Sequence, residues 1–304
     1  MSIKLTELWW LFTRQTVSVK EENKVRECIT LMVKRNFRHL PVVNQDNQLI
    51  GIISAQDIID SINSLSLDPE IKGYSDEAFF KLLNSNIKEI VTKDPLCLLY
   101  KSHLVEALKI MSENNKGALP LIDEKRKLRG IITLRDFISL LGSNVNPIGL
   151  KVKDFYTKNP IYIEPTERLL TAIRIMSKNK IRRIIVGHSN LLNETQGIIS
   201  NKDILRYLDF GLGYKFISVS ELLQTKVSKV MGNPLATVDM DDDVKMACFT
   251  MNTLGIGGLG VLNNQRIDGI ITERDVVTKL YKVKNLDIES LMTPSEDLSL
   301  RPPW

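Results

Sequence analysis

Four short strings carry residues whose types and spacing could do chemistry: Ser54 and Asp57 in GIISAQD, Thr133 and Asp136 in GIITLRD, Ser200 and Asp203 in GIISNKD, Thr272 and Asp275 in GIITERD. A hydroxyl at a strand end, three residues before an acid, is first a helix-capping pattern. The hydroxyl satisfies a free backbone N–H and the acid complements the helix dipole. A capping box favours Glu or Gln, which reach back to the N-cap amide, yet all four copies use the shorter Asp. A short carboxylate at a helix N-terminus can also accept hydrogen bonds from a vicinal diol such as ribose. The adjoining hydroxyl and free amides can meet phosphate oxygens. Capping and ligand contact are compatible.

A second pattern lies upstream of each string. Two positions before an apolar strand hold Arg38-His39, Gly117-Ala118, Arg182-Arg183 and Gly257-Gly258 in turn. Basic side chains there suit charge-assisted hydrogen bonds to phosphate; the plainer alternative is a strand edge decorated with Arg against unwanted pairing. One basic pair falls in each half of the chain. Two modules are therefore expected, residues 1–146 and 147–283, each with one phosphate-bearing site and about two tight ligands per chain. Arg135, Lys202 and Arg274, each just before its Asp, are expected to be solvated.

The elements that must position these residues repeat as well. Ahead of each GII string, apolar residues recur on one helix face: Val25, Cys28, Ile29, Met32; Leu104, Ala107, Leu108, Met111; Leu169, Ala172, Ile173, Met176; Val244, Ala247, Cys248, Met251. Each helix is followed by a short strand (HLPVV, ALPLI, RIIVG, GLGVL), a polar turn and the GII strand, which together predict a hairpin. From Met to Asp the spacing is 25, 25, 27 and 24 residues, the variation lying in the turn. Leaders FTRQTVSV, VTKDPLCLL, YTKNPIYI and MGNPLATV precede the helices. The unit reads strand, helix, strand, strand, helix, an α/β (α+β mixed) class. At about 60 residues each unit should pair with a neighbour. Repeats are placed at 1–62, 85–146, 147–213 and 214–283, with an insertion at 63–84 and a tail at 284–304. SDEAFFKLLNSN in the insertion region is expected to be an extra helix with Ser75 as N-cap. The tail opens like a fifth leader, as a capping or partner-binding segment.

These strings, leaders and strands, including Pro41 and Pro120, resemble the CBS domain, the regulatory repeat named after cystathionine beta-synthase. Four copies in register are a specific signal. The layout looks like the gamma subunit of AMP-activated protein kinase or a stand-alone prokaryotic relative. The resemblance implies repeats paired into two modules, with a flat disc as the family's stacked form. It implies adenosine compounds bound in the clefts between paired repeats, with Asp on the ribose and Ser or Thr on ribose or phosphate. It also implies basic residues on phosphates, and the leader turns at Thr16, Pro95, Pro160 and Pro234 holding adenine. The expected ligand is an adenine nucleotide (ATP, ADP or AMP), with S-adenosylmethionine an alternative and no catalytic cofactor. The expected partner is a separate regulated protein chain; a homodimer stays open.

Bulk properties fit a regulator. The net charge of +5 is too weak to demand nucleic acid, although a nucleic-acid-associated regulator stays open. The three cysteines have no metal or disulfide spacing, which suggests a reducing, cytoplasmic setting. No apolar run approaches membrane-spanning length. GIGGLG (255–260) matches a dinucleotide fingerprint but follows a helix and leads into a strand, the wrong context. No Walker loop, zinc spacing or nucleophile–base set is present, so no enzyme is expected.

Overall fold

The computed structural model describes residues 3–8, 16–65, 76–143, 145–188, 191, 194–213, 218–284 and 286–291. The first repeat contains α1 (Val25–Arg35), β1 (His39–Val43), β2 (Leu49–Ser54) and α2 (Ala55–Leu65), followed by α3 (Asp76–Asn84). The second has β3 (Thr92–Lys93), β4 (Leu98–Leu99), α4 (Leu104–Glu113), β5 (Ala118–Ile122), β6 (Leu128–Thr133) and α5 (Leu134–Leu141). The third has β7 (Thr157–Lys158), β8 (Tyr162–Ile163), α6 (Leu169–Asn179), β9 (Arg183–Gly187), β10 (Thr195–Ser200) and α7 (Asn201–Gly213), followed by α8 (Val219–Gln224). The fourth has β11 (Thr237–Asp239), α9 (Val244–Thr253), β12 (Gly258–Asn263), β13 (Arg266–Thr272) and α10 (Glu273–Leu280), with α11 (Ile288–Leu291) after it.

The expected apolar helix faces are the buried ones. Val25, Cys28, Ile29 and Met32 are at most 1% exposed, and their counterparts in α4, α6 and α9 are equally buried. Each Val, Leu, Ile or Met among them contributes about 1.5–3 kcal/mol by leaving water. Burial pushes the Cys28 and Cys248 thiols up to about 12, which makes them inert packing groups. Each repeat forms an antiparallel hairpin: β1 with β2, β5 with β6, β9 with β10, β12 with β13. A short strand joins it in parallel: β4, β8 and β11, and in the first repeat the single bridge Val19–Val42.

The pairing of repeats differs from the expectation. The modules are not residues 1–146 and 147–283. One compact unit is Val17–Pro95 with Ile161–Leu235, joining repeats one and three; the other is Met1–Thr16, Leu96–Pro160 and Ala236–Trp304, joining repeats two and four. Chain neighbours usually become spatial neighbours, but here the chain changes unit in every leader. The changes fall after Thr16, Pro95, Pro160 and Leu235, so Thr16, Pro95, Pro160 and Pro234 lie at or beside the crossings.

Before crossing, each described leader adds an antiparallel edge to a sheet of the unit it is leaving. β3 pairs with β2, β7 with β13, and Gly232 bridges Ile198 of β10. This explains the glycine of three of the four GII strings, Gly51, Gly197 and Gly269; at Gly130 a Cβ would make only ordinary contact with Leu121. A Cβ at Gly197 would collide with the Gly232 carbonyl, and one at Gly269 with the Thr157 carbonyl and the Tyr156 ring. Only a residue without a side chain allows the leader to lie so close.

In the unit of repeats one and three, α1 packs on α7 and α2 on α6, and Thr30 Oγ1 donates to Asp209 Oδ1 at 2.5 Å. In the unit of repeats two and four, α5 packs on α9 and α4 on α10, and Asn252 Nδ2 donates to the Ile138 carbonyl at 3.1 Å. The expected extra helix is α3, with Phe79 and Leu83 buried; Ser75 lies outside the described residues. Helix α8 was not anticipated, though Ser218 and Glu221 form a capping box that SVSELLQ already spells. Of the tail, α11 and Leu286 pack on the core of the repeat-two/four unit. Trp9 and Trp10 lie outside the described residues.

Candidate functional site

The four Ser/Thr-x-x-Asp strings build one geometry four times. Each hydroxyl residue ends the second hairpin strand and each Asp sits in the first turn of the following helix. Ser54 N–H and Oγ donate to Asp57 Oδ2 at 2.7 and 2.8 Å. Thr133 does the same to Asp136 Oδ2 at 2.6 and 2.8 Å. Ser200 reaches Asp203 Oδ2 at 2.9 and 2.5 Å, and Thr272 reaches Asp275 Oδ2 at 2.9 and 2.6 Å. The capping box is therefore present in every repeat, closed by Asp rather than Glu.

The cap consumes Oδ2 alone, and the fate of Oδ1 differs. Asp275 Oδ1 accepts from Thr157 Oγ1 of the third leader at 2.9 Å. Asp203 Oδ1 lies 3.5 Å from Arg206 Nη1. For Asp57 and Asp136, Oδ1 has no partner among the described residues, so a diol could be received there. Burial raises Asp57 above the usual carboxylate range, opposed by its Ser54 hydrogen bonds and the Arg182 charge. Burial pushes Asp136 up to about 6; the Thr133 hydrogen bonds and Arg135 oppose the shift and the Glu273 charge adds to it.

Backbone hydrogen bonds set the basic pairs beside the caps. His39 lies opposite Ser54 in the hairpin and Arg183 opposite Ser200. One residue earlier, the Arg38 carbonyl accepts from Ala55 N–H at 2.9 Å and the Arg182 carbonyl from Asn201 N–H at 3.0 Å. Gly117 and Gly257 accept from Leu134 and Glu273 at 3.2 and 3.1 Å in the same way. The residue at this position thus stands beside the start of a helix in all four repeats.

Because repeats one and three share a unit, their basic pairs converge. Arg38, His39, Ser54, Ala55, Gln56, Arg182 and Asn201 line one narrow cleft. Arg38, His39, Ser54 and Arg182 were expected at a site; Arg183 is not among the lining residues. The expectation of one basic site in each half of the chain is corrected accordingly. The basic pairs lie in one unit, and the glycine and alanine pairs lie together in the other.

Sequence reasoning missed four participants. Ala55, Gln56 and Asn201 reach the cleft through the fold and carry no sequence signal of their own. Thr157 does carry one: the T-K-[DN]-P run shared with the leader at Thr92. Arg135 is not a solvated side chain, since its Nε lies 2.7 Å from Glu273 Oε1 and its Nη1 donates to the Met251 carbonyl at 3.1 Å. Arg274 likewise donates to Asn115. Among the described residues, no group of three or more His, Cys, Asp or Glu could hold a metal ion, and no helix is long and apolar enough to cross a membrane.

Comparison with known proteins places this geometry. The CBS domain family matches residues 9–64, 87–143, 152–209 and 227–282. A 33.4 kDa protein of a ribosomal RNA operon in Thermofilum pendens is 32% identical over 273 residues, covering 89% of each chain. Protein MJ1225 of Methanocaldococcus jannaschii, proposed as an archaeal homologue of g-AMPK, superposes with a TM-score of 0.78 at 26% identity, over 90% of this chain and 99% of that one. A conserved protein of Pyrococcus horikoshii shares the fold at a TM-score of 0.58 and 19% identity, over 89% of this chain and 97% of its own.

Proposed function

The chain belongs to the CBS domain family, and from that premise we propose that it is a regulatory protein that binds an adenine nucleotide and acts on a separate partner chain. The observation that carries this reading is the convergence of Arg38, His39 and Arg182 with Ser54 and Asn201 at the starts of α2 and α7. Helix N-termini and guanidinium groups both hold phosphate well. The diol would be read by Asp57 Oδ1, which the cap leaves available. The likeness to MJ1225, proposed as a g-AMPK homologue, supports an energy-sensing role. The reading assigns the chain no catalytic step. Regulation then requires two states of the protein that differ in nucleotide affinity.

The test is to identify co-purifying small molecules by mass spectrometry, then measure melting with ATP, ADP, AMP and S-adenosylmethionine. Ligand at about 100 times its dissociation constant should add about 2.7 kcal/mol of stability. The Arg182→Ala/Arg183→Ala variant should lose far more affinity for ATP than for adenosine. No shift with any adenosine compound would overturn the proposal. Affinity that tracks nucleic acid and falls steeply with salt would instead favour a nucleic-acid regulator.

A further inference from the structure

The two units differ at one place that the family pattern does not define. In each repeat the residue after the capping Ser or Thr donates its N–H to the carbonyl of the first residue of the upstream pair. In the unit of repeats one and three, the residues at this place are Ala55 and Asn201, and both line the basic cleft. In the unit of repeats two and four they are Leu134 and Glu273. Glu273 is 1% exposed, a burial that carboxylates rarely show without a cationic partner. Its partner is Arg135, from the other repeat of the pair, at 2.7 Å. The four positions that hold Arg38, His39, Arg182 and Arg183 in the first unit hold Gly117, Ala118, Gly257 and Gly258 here.

We infer that Glu273 is a built-in anion: it occupies the phosphate-receiving place of the repeat-two/four unit, holds Arg135, and excludes phosphate-bearing ligands from that unit. Phosphate is directed to the repeat-one/three unit alone. The other unit accepts only ligands without a negative group at that place. The charge that Glu273 imposes on neighbouring Asp136, raising its titration, agrees with a locally negative surrounding. A phosphate entering there would meet a buried carboxylate with the Arg135 guanidinium already engaged, whereas removal of that carboxylate would release Arg135 to pair with it.

This inference rests on the nucleotide reading, and its experiment separates the two. Calorimetry with ATP and adenosine is run on the full chain and on an Arg38→Ala/Arg182→Ala/Arg183→Ala background that silences the basic cleft. The background should bind ATP at least about tenfold more weakly than the wild type, equivalent to about 1.4 kcal/mol or more. Adding Glu273→Gln to that background should recover ATP affinity by about tenfold or more, the scale of one charge-assisted contact. Glu273→Ala serves as a second variant, with melting curves confirming that each remains folded. ATP bound as tightly by the background as by the wild type would overturn the inference and the placement of the nucleotide at the basic cleft, leaving nucleotide binding itself standing. Folded Glu273→Gln and Glu273→Ala forms that recover nothing would overturn the inference. A wild-type chain that binds neither ATP nor adenosine removes both.

Discussion

Replacing Asp136 with Asn should abolish a pH-dependent loss of stability that the wild-type fold carries. In the fold this carboxyl titrates near about 6, against 3.8 for the free side chain, chiefly because it is buried. The folded chain therefore binds this proton more tightly than the unfolded chain does. Stability rises with pH only where the unfolded state binds more protons, and here the opposite holds. The fold keeps its full stability below about pH 3.8 and loses part of it as pH rises towards about 6. At about 1.4 kcal/mol per unit, the interval is worth roughly 3 kcal/mol at neutral pH. Asn keeps the side-chain shape and an oxygen that can accept from Thr133 N–H and hydroxyl, but it does not titrate. Denaturant unfolding of both proteins between pH 4 and pH 7 gives the difference, in which other titrating groups cancel. Wild type should lose about 2–2.5 kcal/mol relative to the variant across that range. A flat difference would refute the claim that burial, with the Glu273 charge, raises the Asp136 carboxyl in the fold. A wild type that gains on the variant would show that its hydrogen bonds outweigh the burial.

Two further outcomes test the frame around the site. Asp57→Ala and Asp203→Ala should each weaken nucleotide binding by about tenfold or more, the worth of a hydrogen bond to a charged group. Loss of the cap alone, at about 1 kcal/mol of stability, would show as a lower melting point with unchanged affinity. Gly269→Ala should destabilise its unit by about 1–3 kcal/mol, because its methyl group would meet the Thr157 carbonyl and the Tyr156 ring. Gly213→Ala, which meets nothing within 4 Å, should change the unfolding midpoint little, and equal effects at both glycines would count against the leader contact.

Much of this protein is written in local patterns. The Met176 and Met251 helix faces, the hairpins and the caps at Ser54, Thr133, Ser200 and Thr272 depend on residues close in the chain, so periodicity and capping chemistry suffice to find them. The CBS family follows from the same strings and is borne out by all four repeats. The alternation of Arg38-His39 and Arg182-Arg183 with small residues is equally legible. Its meaning is not, because that depends on which repeat meets which. A leader such as VTKDP can end at its own repeat or, as β3 does, join the previous repeat's sheet and then cross to the other unit after Pro95. Both courses satisfy the backbone hydrogen bonds and bury the same apolar faces, so no local residue distinguishes them. Only the tertiary structure decides that repeat one packs with repeat three. That choice gathers the guanidinium groups into one cleft and puts Glu273 against Arg135 in the other unit, 138 positions away in the chain but 2.7 Å away in space.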